Sequence, residues 1–304
     1  MMNESFVAEL QKFLTPEQLL LDEPMSGHTT FRIGGPADYL IFPADLPQLK
    51  QIFQLLRRYE IPFIVLGNGS NVLVRDKGVR GAVIKFNKLF SKIRRDGTTL
   101  IVEAGALLKD VACFAADAGL TGLEFAVGIP GSIGGAVFMN AGAYDGEMKN
   151  VVSKVRSVSP AGSFSELTVE DLELGYRRSI FHYTGQIICE VELSLVPGDP
   201  DEIRTKMSDF TARRESKQPL EMPSAGSTFK RPKGYFAGTL IDQTGLKGLR
   251  VGDAMVSTKH AGFVVNAGHA TAADVLGLIE EVKKCVYAAH GVKLYPEVRI
   301  IGEE

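Results

Sequence analysis

Phe6, Val7, Leu10, Phe13 and Leu14 recur at helical spacing, which predicts an amphipathic helix over the first segment of the chain. Residues 37–43 read as a short strand. Asp45 stands at an N-cap position ahead of Leu46, Leu49, Ile52, Phe53 and Leu56, the apolar face of a second helix. Residues 62–66 follow as a strand, giving a β–α–β unit whose second strand runs into Gly67. Residues 82–86 and 99–103 are further strand-like runs, and a helix over 108–118 is stopped by Gly119. Alternation through Val155 and Val158, and again through Val191, Leu193 and Leu195, predicts two more strands. Pro197-Gly198-Asp199-Pro200 reads as a linker. Beyond it, Ile203, Met207 and Phe210 mark a helix ending in Arg213, Arg214 and Lys217. Thr271 and Asp274 form a capping-box pattern before Val275, Leu278, Ile279, Val282 and Val286, and Gly291 suits the helix end. Leu294, Val298 and Ile300 close the chain as a strand. Strands and helices interleave without one regular period, which predicts an α+β fold rather than a doubly wound parallel sheet.

Composition narrows the function classes more than the fold. A chain of 304 residues has room for two or three domains. A formal charge of −2 gives no electrostatic reason to expect nucleic acid or an anionic membrane as a partner, so an anionic substrate needs a local cationic pocket. Cys113, Cys189 and Cys285 lie far apart without C-x-x-C spacing, which argues against a disulfide framework or structural zinc and reads as buried reduced thiols. The five histidines, His28, His182, His260, His269 and His290, show no metal-ligand spacing, so no metal is expected. The first residues lack a basic region followed by an apolar one, and there is no apolar run of about 18 residues. The expectation is a cytoplasmic protein without an obligate protein partner.

Two glycine-rich stretches carry the strongest local signal. The first, V-L-G-N-G-S-N-V-L-V, contains Gly67, Asn68, Gly69, Ser70 and Asn71. The second, G-I-P-G-S-I-G-G-A-V, contains Gly128, Ile129, Pro130, Gly131, Ser132, Gly134 and Gly135, with Asn140-Ala141-Gly142-Ala143-Tyr144 close behind. Glycines let the backbone bend tightly and turn N–H groups towards an anion, and Ser and Asn side chains add donors. A single G-x-G is most often only a turn; two dense clusters abutting apolar segments favour a phosphate site. No lysine follows either cluster as a P-loop requires, and G-x-G-x-x-G fails at Val72. A dinucleotide held outside a Rossmann fold is the best fit.

Three further positions stay open on chemistry alone. Gly175-Tyr176-Arg177-Arg178-Ser179 suits a planar carboxylate or phosphate, or is a solvated basic turn. Ser227, in a small-residue turn before Lys230, donates a proton or caps a helix. Glu297 is a solvent-facing strand-end carboxylate or a buried one with a tuned proton affinity.

Taken together, T-T-F-R-I-G-G-P-A, G-N-G-S-N-V-L-V, G-I-P-G-S-I-G-G, N-A-G-A-Y, Y-R-x-S-x-F, A-G-S-x-F-K and a terminal P-E-V, in this order from His28 to Glu297, resemble the UDP-N-acetylenolpyruvoylglucosamine reductase family. The resemblance implies a para-cresol methylhydroxylase-type flavoprotein fold, with FAD-binding subdomains over residues 1–80 and 81–198 and a substrate domain over 199–304. The strand near 292–304 is expected to pack on the first subdomain. Both glycine-rich stretches and Tyr144 become contacts to non-covalent FAD. NADPH becomes the reductant and UDP-N-acetylglucosamine enolpyruvate the substrate, reduced to UDP-N-acetylmuramate for peptidoglycan. Arg177 and Glu297 resemble the family's residues that stabilise an enolate, Glu297 only while protonated or sharing a proton, and Ser227 resembles its proton donor. Tyr176, Lys217, Lys230, Arg231, Lys247 and His260 fall in segments lining the family's substrate site. Arg231 replaces an asparagine found in one branch, and the span from Arg178 to Ser227 leaves little room for that branch's tyrosine lid, so the chain resembles the lidless second type. The rivals are an oxidase of sugars or lactones on the same fold, which often holds FAD covalently through His or Cys, and a non-catalytic nucleotide- or flavin-binding protein.

Overall fold

The computed structural model describes residues 3–304, which fall into two compact units. The first takes the chain up to Leu20, Tyr39–Asn68 and Ala82–Arg214; the second takes Leu21–Asp38, Gly69–Gly81 and Glu215–Glu304.

In the first unit, the opening helix is Glu4–Leu10, capped by Asn3, whose Oδ1 accepts from Phe6 N at 3.0 Å. It is shorter than its apolar periodicity predicts. Lys12 N and Phe13 N bond back three residues, to Glu9 and Leu10, and Pro16 disfavours a helical Thr15. Phe13 and Leu14 still pack into the core, from a turn. The Leu46–Arg58 helix starts as expected at Asp45, whose carboxylate accepts from Gln48 N at 2.8 Å, and buries Leu49, Ile52, Phe53 and Leu56. It leads into the Phe63–Leu66 strand, which runs parallel to Val79–Lys85 with Phe63 opposite Ala82 and Leu66 opposite Lys85.

The core of this unit lies on an antiparallel sheet ordered Phe164–Thr168, Val152–Val158, Ile187–Ser194, Thr99–Glu103, Ile93–Asp96. Val191 stands between Val155 and Val102, all fully buried. The alternate positions Glu190 and Glu192 pair outward with Arg156 (3.4 Å) and Lys154 (3.7 Å). This is the period-2 pattern of a half-buried sheet. The Leu108–Asp117 and Ile133–Met139 helices bury Val111, Ala115, Ile133 and Val137 into the same core. Burial pushes the Cys189 thiol up to about 12; Cys113 and Cys285 are free but only half-buried, so the expectation of buried thiols holds for Cys189 alone.

In the second unit, strands Ser224–Ser227, Phe263–Asn266, Ala254–Val256 and Arg250–Val251 form an antiparallel sheet in that order. The Ala272–His290 helix contributes Val275, Leu278, Ile279, Val282 and Val286 to the core of this unit. Thr271 and Asp274 make the reciprocal capping box, and Gly291 ends the helix at φ +67°. The Asp76 carboxylate accepts from the next two free N–H groups, Ala272 (2.7 Å) and Ala273 (2.9 Å). Val72–Val74 runs parallel to the final strand, Arg299–Ile301. Pro197 ends a short strand and Pro200 opens the Pro200–Lys217 helix, and the division between the units falls inside that helix, after Arg214. Among the described residues no helix is long and apolar enough to cross a membrane.

Lys85 is 9% exposed, and burial pushes its ammonium down from 10.5 to about 8. Between these values the unfolded chain binds more protons than the folded one, so stability rises with pH across this window and the full penalty is present at pH 7. Lys85→Met is expected to flatten the rise in Tm from pH 8 to 10. An undiminished rise in the variant would contradict this.

Candidate functional site

Gly67 and Asn68, from the first glycine-rich stretch, meet the second stretch within the first unit. Gly67 follows the Phe63–Leu66 strand, and a Cβ built on it would overlap Ser132 Oγ. Asn68 Nδ2 donates to Pro130 O at 2.6 Å. Ser132 is 1% exposed and caps the Ile133–Met139 helix, accepting from Gly135 N at 3.4 Å. The stretch is stitched to the preceding segment: Leu108 N donates to Gly131 O (2.9 Å), Ile133 N to Ala106 O (2.8 Å) and Gly134 N to Ala104 O (3.0 Å). A Cβ at Gly134 would lie 2.9 Å from Ala104 Cβ, so only glycine permits this approach.

At the other end, a Cβ on Gly128 would lie 2.9 Å from Arg214 Cδ. Ile129 packs against the core. Tyr144 stacks on Phe210 with centroids 4.4 Å apart and donates from its hydroxyl to Phe210 O at 3.1 Å. Burial pulls the Arg214 guanidinium below its ordinary range, opposed by Tyr144. The sequence marked Arg214 only as part of a basic helix end.

Arg177 sits in the first unit at φ +52°, in a turn closed by Gly175 N to Arg178 O (3.0 Å) and Arg178 N to Gly175 O (3.2 Å). Its guanidinium lies 5.3 Å from the centroid of the exposed Tyr176 ring. Asn140 Nδ2 donates to Gly175 O at 3.1 Å. Asn140 is visible in the sequence only as the first letter of N-A-G-A-Y.

The remaining candidates belong to the second unit. Gly69 O accepts from Thr30 N at 3.2 Å, and Ser70 is half-buried beside it. Asn71 O accepts from Arg299 N (3.0 Å), and Asn71 Nδ2 donates to Glu297 O (3.4 Å). Glu297 is half-buried, and its N–H donates to Thr228 O at 2.8 Å; Thr228 follows the exposed Ser227 in the chain. Ser227 ends a strand opposite Phe263 and caps no helix. Lys230 N donates to Tyr295 O (2.8 Å), so the A-G-S-x-F-K and P-E-V segments run side by side. His260 accepts from Gly262 N at Nδ1 (3.1 Å), which leaves the proton of the neutral ring on Nε2. Burial first, and the Lys247 ammonium second among the lowering causes, hold His260 below the ordinary imidazole range; a backbone hydrogen bond and Asp242 oppose them. Lys247 pairs with Asp242 at 2.9 Å. Arg231 lies over the Phe236 ring at 4.0 Å, and Lys217, Lys230 and Arg231 are exposed. Among the described residues no group of three His, Cys, Asp or Glu side chains is placed to hold a metal ion.

Residues 36–168 match the family described as FAD binding domain, and residues 218–301 match UDP-N-acetylenolpyruvoylglucosamine reductase, C-terminal domain. A UDP-N-acetylenolpyruvoylglucosamine reductase of Clostridium perfringens (strain SM101 / Type A) is 53% identical over 299 residues, 98% of each chain. The chain belongs to the UDP-N-acetylenolpyruvoylglucosamine reductase family. The crystal structure of a UDP-N-acetylenolpyruvylglucosamine reductase from Thermus caldophilus is 40% identical, covers 93% of this chain and 98% of its own, and superposes with a TM-score of 0.81. An alkyldihydroxyacetonephosphate synthase, 18% identical over 65% of this chain and 41% of its own with a TM-score of 0.50, shares the fold alone. The fold of this UDP-N-acetylenolpyruvoylglucosamine reductase family member is α+β, with an FAD-binding domain of the para-cresol methylhydroxylase type.

Gly67→Ala is expected to lower Tm, by the equivalent of about 1–3 kcal/mol of overpacking, and to reduce bound flavin. Adding Ser132→Gly, which removes Oγ while leaving an acceptable N-cap, should recover part of both losses. An unchanged Tm in Gly67→Ala would contradict the close approach.

Proposed function

We propose that the chain reduces UDP-N-acetylenolpyruvoylglucosamine (UDP-N-acetylglucosamine enolpyruvate) to UDP-N-acetylmuramate, through non-covalent FAD with NADPH as reductant, as a cytosolic step of peptidoglycan precursor synthesis. The observation that supports this reading is the 2.8 Å bond from Glu297 N to Thr228 O, which joins Glu297 to the residue that follows Ser227 in a chain of this family. The glycine-rich stretches fit FAD, because they offer bare backbone with Ser and Asn donors, and neither contains a His or Cys for covalent attachment. We assign flavin binding to residues 1–80 and 81–198 and substrate binding to 199–304.

FAD, when bound, supplies a two-electron carrier between NADPH and the methylene carbon of the enolpyruvyl group. The protein handles the charge and the proton. An isolated alkene accepts hydride poorly, and the attached carboxylate must take up the charge as an enolate. The Arg177 guanidinium and the Glu297 carboxyl group stabilise that enolate, an effect worth about 3 kcal/mol per hydrogen-bond donor. Ser227 Oγ then gives its proton to the carbon bearing the carboxylate and is reprotonated from solvent. Tyr176, Lys217, Lys230, Arg231, Lys247 and the Nε2–H of His260 are assigned to the substrate, the cations to its diphosphate. The chain works without a tyrosine lid.

Ser227→Ala should leave NADPH reduction of the flavin intact while slowing reoxidation by the enolpyruvyl substrate about 100-fold or more, measured by stopped-flow absorbance. Equal losses in both half-reactions would remove Ser227 from the proton-transfer role.

A further inference from the structure

Asn140 is 1% exposed, and its whole side chain is engaged within the first unit. Nδ2 donates to Gly175 O (3.1 Å) and Glu147 Oε2 (2.8 Å), while Oδ1 accepts from Lys149 N (2.9 Å). The residue ends the Ile133–Met139 helix in the left-handed region, φ 42° and ψ 55°, which asparagine tolerates better than most side chains. Two positions earlier, Phe138 O accepts from Ser179 Oγ at 2.7 Å, and the Phe138 ring stacks on His182 with centroids 4.1 Å apart. The last turn of this helix therefore grips both flanks of the 175–179 segment, Gly175 through Asn140 and Ser179 through Phe138.

Arg177 lies between the two grips. Its φ of +52° is one a non-glycine residue keeps only where its surroundings over-determine it. Gly175 O accepts from both Arg178 N and Asn140 Nδ2, so the asparagine ties the closing bond of the turn to the helix. Glycine alone would end the helix equally well. What glycine lacks is a reach to a carbonyl 35 residues further along the chain. A buried amide directed at the turn that carries a strained arginine is a device for aiming that arginine.

We propose that Asn140, with Ser179 as its counterpart on the other flank, is a positioning residue for Arg177. It holds the turn so that the guanidinium is preset for the substrate carboxylate. The inference rests on the role given to Arg177 above.

Asn140→Gly keeps the left-handed helix end and removes the grip on Gly175 together with the bonds to Glu147 and Lys149; Ser179→Ala removes the other grip. Hydrogen exchange of the full-length protein should show the Arg178 amide exchanging about tenfold faster in Asn140→Gly, with the amides of the Ile187–Ser194 strand unchanged. Unchanged exchange at Arg178, or faster exchange throughout the sheet, would overturn the grip. In stopped-flow assays Asn140→Gly should retain flavin content and reduction by NADPH but be reoxidised by the enolpyruvyl substrate at least tenfold more slowly, and Ser179→Ala should be slowed in the same step. The double variant Asn140→Gly/Arg177→Ala should be no slower than Arg177→Ala alone. Additive losses in the double variant would overturn the positioning role. If the wild-type protein is not reoxidised by this substrate, the functional reading fails and the exchange result alone decides the grip.

Discussion

The contact between Gly67 and Ser132 is the constraint on which the first unit's chemistry rests. No Cβ fits between the Gly67 backbone and Ser132 Oγ, and Asn68 locks the same approach through Pro130 O at 2.6 Å. Ser132 in turn caps the Ile133–Met139 helix, whose far end grips the turn of Arg177 through Phe138 and Asn140. One short helix thus connects the glycine-lined surface to the cation assigned to the substrate. Its geometry is fixed by close packing and satisfied buried polar groups rather than by helix propensity, which is weak in a segment containing two glycines.

The second unit is organised by its last residues. The 294–301 segment is held by Thr228, by Lys230 and by Asn71 in turn, so Glu297 is placed by backbone hydrogen bonds on two sides. Ser227 needs no cap to fill and stays exposed at the strand end. Both features suit groups that meet a ligand: the backbone is fixed and the side chain is left available. His260 follows the same logic, with Nδ1 committed to Gly262 and Nε2 carrying the proton.

Much of this was legible because it is local. Asp45, and Thr271 with Asp274, announce their helices within four residues, and the alternation around Val191 reports one buried face. The first helix ends short of its apolar spacing because Lys12 N and Phe13 N bond back three residues rather than four, in a turn that still packs Phe13 and Leu14 against the core. Non-local contacts left no trace in periodicity. Asn68 reaches Pro130 across 62 residues and Asn71 reaches Glu297 across 226, and only the order of motifs along the chain hinted at either. Asn140 and Arg214 escaped because their significance lies in what they touch. An asparagine after a helix reads as a terminator, and an arginine in a basic helix end reads as a solvated charge.

Every role given to these residues depends on the glycine-rich stretches holding a flavin. The absorption spectrum of the purified protein, before and after acid precipitation, tests this directly. Stoichiometric FAD with an oxidised-flavin spectrum, released into the supernatant by acid, is the predicted result. A colourless protein that takes up no added FAD, or flavin that stays attached to the precipitate, would contradict it.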